Sequence, residues 1–329
     1  MRNIAIIGSG SWGVSLSEHL AEKGNKIYIW SFSVEEKDEI NNERKSRYIS
    51  DLVLNENIYC SNDIKEVTEN SEIIFHVTPS RVTRDVFNSY KEYAKGKPII
   101  MCSKGFEENN LMTLDQVILS EMPDARIGVL SGPSYATEVA KHIPTAILLA
   151  SKDEEILNTI PEIISNETMR IYKSHDITGV EVGGGLKNII AFCAGVCAEL
   201  NFGTNAQAAL ITRGLAEIAR LGVKMGGEHE TFYGLSGLGD LILTCSSDES
   251  RNRRAGRLIA KGYSMEDAKK EIGMTIESID NIKIAKALAD KYEVEMPITN
   301  AAYNSLFNGI SPLDACKQLM TRTLKFEND

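Results

Sequence analysis

The chain has 329 residues, 43% of them hydrophobic, with 36 Lys and Arg against 46 Asp and Glu for a formal net charge of −10. That length exceeds the size at which one core usually keeps growing, so two domains with ample core are predicted. The acidic balance excludes nucleic acid as a partner, because a phosphate backbone demands a basic face, but it leaves room for a small phosphate held locally.

Ile4 to Ile7 form a short β run that ends in Gly8-Ser9-Gly10-Ser11-Trp12-Gly13, the G-x-G-x-x-G spacing. At such a junction Gly8 allows a tight turn, Gly10 lets backbone amides approach a pyrophosphate, and Gly13 lets the next helix pack on the strand. The helix N-terminus then faces the phosphates. Leu16, Leu20 and Ala21 continue at helical spacing, Lys23-Gly24-Asn25 stops the helix, and Lys26 to Trp30 reads as a second strand. A β-α-β dinucleotide unit is predicted. Ser31, Phe32 and Ser33 follow, with Glu35, Glu36, Arg44, Lys45 and Arg47 further on. An acid here would favour NAD and an Arg would favour NADP, and these residues leave that choice open. The acidic runs Glu35 to Glu39 and Asp153 to Glu155 read as solvated helix surface.

Further β-like runs at Glu72–Val77, Ile99–Cys102, Ile127–Leu130, Ala146–Ala150 and Met169–Tyr172 alternate with helical stretches, the pattern of a mostly parallel sheet. From about Thr178 the chain turns helical, with segments at Leu186–Leu200, Asn205–Met225, Arg251–Ala260, Ser264–Ile272, Ile279–Lys291, Asn300–Leu306 and Pro312–Leu319. The fold class is therefore α/β: a Rossmann-type, mostly parallel sheet domain over residues 1–178, then an all-α domain over residues 179–329. No signal peptide is read, and the longest apolar stretch, Ile189 to Ala198, falls short of the roughly 20 residues of a spanning helix, so a cytoplasmic protein without a membrane partner is expected. Six cysteines without a C-x-x-C pair read as buried thiols, and five scattered histidines give no metal site.

Ligands of open α/β sheets sit beyond the carboxyl ends of the strands. Three turns there carry suggestive chemistry: Thr78-Pro79-Ser80, Ser103-Lys104-Gly105 and Ser131-Gly132-Pro133-Ser134, the last with Ser134 as N-cap of a helix through Ala140. Lys104 suits an anionic substrate, and a solvated lysine explains it equally well. In Gly183-Gly184-Gly185-Leu186-Lys187-Asn188-Ile189-Ile190-Ala191-Phe192, Lys187 and Asn188 are the strongly polar side chains entering an apolar helix. Burial lowers a lysine's pKa, which makes Lys187 a candidate general base, and the competing reading is a snorkelling lysine near a helix start. Asp240, between Gly239 and Leu241, calls for a cation such as Lys187 unless it caps a helix or lies at the surface. Ser250-Arg251-Asn252-Arg253-Arg254 offers amides, an Arg fork and a side-chain amide suited to phosphate, though a basic exposed helix start would read the same.

Together these motifs resemble the NAD(P)-dependent glycerol-3-phosphate dehydrogenase family of the soluble bacterial type, over nearly the whole chain up to Pro297 and Ile298. The resemblance is carried by Gly8 to Gly13, Ser103 to Gly105, Ser131 to Ser134 with Ala136 and Glu138, Gly183 to Ala191, Leu210 to Glu217, Gly237 to Cys245 and Ser250 to Arg254. It implies reversible hydride transfer between dihydroxyacetone phosphate and sn-glycerol 3-phosphate, with NAD or NADP and no metal, for glycerophospholipid synthesis. It further implies Lys187 as proton donor and acceptor, with Lys104 and Asp240 completing the catalytic group. Gly132, Ser134, Ser250, Arg251 and Asn252 would join these three in holding substrate. Cofactor contacts would come from Gly8, Gly10, Ser11, Trp12, Gly13, Lys104, Ala136, Arg251, Thr275 and Glu277. The chain departs from the family at Phe32, where Arg or His is common, and in Thr275-Ile276-Glu277-Ser278, where Val-Val-Glu-Gly is common. Two other readings predict different behaviour: another β-hydroxyacid-type dehydrogenase, active on hydroxyacids, and a non-enzymatic NAD(H)-binding sensor, which has no need of Lys187 with Asp240. The helical domain has enough apolar surface for a homodimer.

Overall fold

In the computed structural model, which describes residues 1–273 and 275–327, the apolar runs of the first half form β1 (Asn3–Ile7), β2 (Lys26–Trp30), β3 (Ile58–Ser61), β4 (Ile73–His76) and β5 (Pro98–Met101). A two-stranded hairpin, β6 (Phe106–Glu107) and β7 (Met112–Thr113), precedes β8 (Arg126–Ser131), β9 (Thr145–Ser151) and β10 (Met169–Ser174). Eight of these strands make one sheet in the order β10-β9-β8-β5-β4-β1-β2-β3, parallel throughout except for the antiparallel pair β8 and β9.

The apolar runs are continuous because both faces are covered. Ile4 and Ile6 of β1 face Val14, Leu16 and Leu20 of the helix Ser11–Glu22, while Ala5 and Ile7 belong to the opposite layer with Phe87, Tyr90 and Ile118. Strand β3 and the hairpin β6–β7 have no counterpart in the sequence reading, being too short to show a period. The expected Ser134 cap also fails. Its helix runs Ala136–Ala140 behind Tyr135, and the Ser134 hydroxyl instead donates to the Gly132 carbonyl at 3.1 Å.

After β10 every regular element among the described residues is helical. The central helix spans Ile177–Glu199, so it starts at Ile177 and not at Leu186. Asp176 caps it, accepting from the Gly179 amide at 2.8 Å with one carboxylate oxygen and from the Glu228 amide at 2.8 Å with the other. The glycine triplet does not break this helix, because each glycine admits a close neighbour. An added Cβ would lie 3.1 Å from the Ser236 carbonyl oxygen at Gly183, 3.0 Å from Ser131 Oγ at Gly184 and 2.6 Å from the Phe106 ring at Gly185. By length and composition this helix could cross a membrane, yet 83% of its apolar window is buried within the protein itself. It is the hub on which Leu215, Ile218, Leu241, Ile279 and Ile282 of the surrounding helices pack.

The closest crossing is with the helix Arg251–Ala260. A Cβ on Gly195 would lie 1.9 Å from the Arg253 carbonyl oxygen, and one on Gly256 would lie 1.9 Å from that of Phe192. Neither backbone can yield without separating the helices. Gly256→Ala is therefore expected to destabilise the fold by about 1–3 kcal/mol or more, read as a lowered urea midpoint; an unchanged midpoint would contradict the crossing.

Near the far end, Glu217 accepts from the amides of Ile298 (2.6 Å) and Thr299 (3.2 Å) at the start of the helix Pro297–Phe307. Burial pushes its pKa up to about 7 from the ordinary 4.5. The folded state thus binds the proton more tightly, so this stabilisation is full below about pH 4.5 and lost as pH rises toward 7. In thermal melts from pH 4 to 8, the parent is expected to lose stability relative to Glu217→Gln over that window.

Candidate active site

The turns after β5 and β8 meet the central helix at Gly184 and Gly185, at the carboxyl edge of the sheet, and the turn after β4 joins the one after β5. Gly8 adopts φ +125° beneath this edge, and a Cβ there would lie 2.9 Å from the Val77 carbonyl oxygen. The next residue, Thr78, accepts the Ser103 hydroxyl at 2.5 Å, and Lys104 follows Ser103. The glycine loop and Lys104 thus lie on one contiguous edge.

Lys187, Lys104 and Asp240 converge. Asp240 starts the helix Asp240–Ser246 and its carboxylate is 1% exposed. One oxygen accepts from Lys187 Nζ at 2.5 Å and the other from Lys104 Nζ at 2.6 Å. Lys187 also donates to Thr244 Oγ1 at 2.9 Å, and Lys104 to the Gly132 carbonyl at 3.2 Å. Since the central helix begins ten residues before it, Lys187 lies within the helix interior, and at 7% exposure it does not snorkel. Burial is the main cause that lowers its pKa to about 8; Asp240 pulls the pKa up and the like charge of Lys104 pulls it down. An amine with that pKa is present in both forms near neutrality and can exchange a proton with a bound oxygen.

A second group lies beside the first. Asn188 donates to Glu277 Oε2 at 2.8 Å, and Glu277 has its pKa raised by burial and opposed by Arg251, Lys187 and Lys104. Thr275, Glu277 and Asn281 line a cleft of about 260 Å³ with Pro79, Ser80 and Phe106. Asn252 Oδ1 accepts from the Ser278 amide at 3.0 Å, and Ser250 Oγ caps its own helix by accepting from the Arg253 amide at 3.2 Å. The acceptor atoms of Ser250 and Asn252 are thereby engaged in helix starts.

The glycine loop has the features of a pyrophosphate cradle. Nothing lies within 4 Å of a Cβ built on Gly10, whereas one on Gly13 would collide with the Gly8 carbonyl oxygen at 2.1 Å. The helix that begins at Ser11 has neither a side-chain cap nor an acidic residue in its first turn, so its positive end is unopposed. Trp12 packs against the core beside Cys102, and the Ala136 carbonyl accepts the Ser15 hydroxyl at 2.7 Å, which brings Ala136 onto the same helix. No group of three or more His, Cys, Asp or Glu side chains among the described residues could hold a metal, and all six cysteines are free thiols.

Three polar side chains here have no assigned role in the sequence reading. Thr244 sits four residues after Asp240 and so shares its helical face, a spacing that could have revealed it. Asn188 had only its polarity as a signal. Glu36, which the sequence offers both as one of several residues bearing on NAD against NADP and as part of a solvated acidic run, is hydrogen-bonded by the hydroxyls of Ser9, Ser31 and Tyr48.

The family profile described as NAD-dependent glycerol-3-phosphate dehydrogenase N-terminus matches residues 3–157, and its C-terminal counterpart matches residues 176–317. The chain is 43% identical over 332 residues to glycerol-3-phosphate dehydrogenase [NAD(P)+] of Fusobacterium nucleatum, covering 99% of each chain. It is 44% identical to the protein of the same name from Clostridium perfringens, again over 99% of each chain. Its backbone follows the crystal structure of glycerol-3-phosphate dehydrogenase from Coxiella burnetii with a TM-score of 0.94 at 38% identity, covering 98% of this chain and 99% of that one.

Proposed function

From the premise that the chain belongs to the NAD-dependent glycerol-3-phosphate dehydrogenase family, we propose how its residues carry out the family reaction and where each ligand is held. The protein is an NAD(P)-dependent oxidoreductase that interconverts dihydroxyacetone phosphate and sn-glycerol 3-phosphate. The observation that carries the residue roles is the buried Lys187, joined through one carboxylate to Lys104.

In the direction of reduction, Lys187 gives its proton to the carbonyl oxygen of the substrate; in oxidation the neutral amine takes it back from the hydroxyl. Lys104 holds the substrate and keeps the pKa of Lys187 low, while Asp240 positions both ammonium groups. Gly132, Ser134, Ser250, Arg251 and Asn252 hold the substrate, its phosphate being drawn to the basic helix start. When bound, the nicotinamide supplies or accepts the hydride. Gly8, Gly10, Ser11, Trp12 and Gly13 would hold the dinucleotide, and Lys104, Ala136, Arg251, Thr275 and Glu277 would contact it.

We assign residues 1–178 to dinucleotide binding and residues 179–329 to the helical catalytic domain. The enzyme acts in the cytoplasm and supplies the backbone for glycerophospholipid synthesis. It forms a homodimer through the helical domain, where Val223, Tyr233 and Ile242 are exposed. The β-hydroxyacid dehydrogenase and the sensor are not favoured. The test is absorbance of reduced nicotinamide with dihydroxyacetone phosphate and folded protein. Rapid loss of signal is expected, and no loss with either NADH or NADPH would remove the assignment.

A further inference from the structure

We propose that Glu36 makes this enzyme selective for NAD(H) over NADP(H). The inference rests on the placement of the dinucleotide over the glycine loop given above. In that arrangement the adenosine ribose lies where the glycine loop meets the carboxyl end of β2, the place at which an acidic side chain binds ribose hydroxyls. The Gly8 amide donates to the Trp30 carbonyl at 3.1 Å, so loop and strand end are joined there. Glu36 is brought to that junction by side chains from three segments. Ser9 of the glycine loop and Ser31 after β2 both reach Oε2, Ser31 at 3.0 Å, with their own oxygens 2.8 Å apart. Tyr48 donates to Oε1 at 2.5 Å.

All three partners are neutral hydroxyls, and among the described residues no cation forms an ion pair with this carboxylate. Of about four acceptor positions on a carboxylate, three are used and one remains for a ribose hydroxyl. A 2′-phosphate brought to the same place would set two or so negative charges against a third. Of the nearby cations, Arg47 forks onto Glu39 at 3.0 and 2.6 Å, Lys37 pairs with Asp38 at 3.4 Å, and Lys45 is exposed. Arg44 is turned onto the backbone carbonyls of Leu54 (3.2 Å) and Ile58 (2.9 Å), with one guanidinium nitrogen buried and unpartnered. Phe32, 91% exposed, offers no charge where a cation would be needed.

The test reads binding and turnover separately on the full chain. Calorimetric titration compares 5′-AMP with adenosine 2′,5′-bisphosphate, and steady-state assays compare kcat/KM for NADH and NADPH. The parent is expected to favour the ribose without the 2′-phosphate about tenfold or more in both experiments, and Glu36→Gln to narrow both ratios. Arg47→Ala is expected to leave the ratios within about twofold, since that guanidinium already has a partner. A parent that binds both nucleotides equally or prefers the 2′-phosphate overturns the proposal. So does a Glu36→Gln variant that weakens both nucleotides in proportion, as a mere brace of the loop would, or an Arg47→Ala variant that selectively loses NADPH. Preferential binding of 5′-AMP without turnover of either cofactor would support the role of Glu36 while removing the dehydrogenase reading itself.

Discussion

Replacing Lys187 with alanine is expected to lower kcat in both directions by about a hundredfold or more, the usual value of a positioned proton donor. Asp240 keeps its ion pair with Lys104 and its own helix in that variant, so the fold and the binding of NADH should persist. The parent's pH dependence carries the same chemistry. With the pKa of Lys187 lowered to about 8, reduction of dihydroxyacetone phosphate uses the ammonium form and declines as pH rises through about 8. Oxidation of glycerol 3-phosphate uses the free amine and rises over the same range. Rate profiles of kcat in each direction, at saturating cofactor, provide the measurement. A loss below about tenfold in Lys187→Ala, or profiles that do not oppose one another, would place the proton transfer on another group.

Asp240→Asn is expected to be comparably damaging for a different reason. The carboxylate is the shared acceptor of two ammonium groups, and an amide leaves both cations without their counter-charge in a largely buried place. Because Asp240 pulls the pKa of Lys187 up, its neutralisation lowers that pKa further. The decline of the reductive rate should therefore move to lower pH, with a loss of about a hundredfold at pH 7.5. Circular dichroism separates this from unfolding, which removal of one partner from a buried pair also favours, by about 3–5 kcal/mol. A folded Asp240→Asn enzyme whose reductive pH profile is unmoved would show that the carboxylate does not tune Lys187.

How far the sequence could be read depended on the range of each signal. The glycine loop was legible because its turn, its open approach and its helix packing are set by residues within six positions of each other. Strands β1, β2, β4 and β5 were legible as apolar runs, since a sheet covered on both faces needs nothing else of them. The central helix starts nine residues before the predicted Leu186 because a run of three glycines, which ordinarily marks a break, is here helical. In the folded protein that run admits Phe106, Ser131 and the Ser236 backbone, and these contacts outweigh its poor intrinsic helicity.

Glu36 shows the opposite limit. In the chain it belongs to an acidic run, and nothing local separates it from Glu35 or Glu39. Its place is decided by Ser9, Ser31 and Tyr48, three hydroxyls brought together from different segments.

By itself the sequence determined the α/β pattern, the phosphate-approach loop and the residue types able to move a proton, because composition, period and short spacings act over one or two helical turns. Tertiary structure alone decided that Lys187 is buried, that one carboxylate binds both lysines, and that β8 and β9 run antiparallel. Each of these joins residues distant along the chain, and the lowered pKa of Lys187 comes from the desolvation that only packing creates.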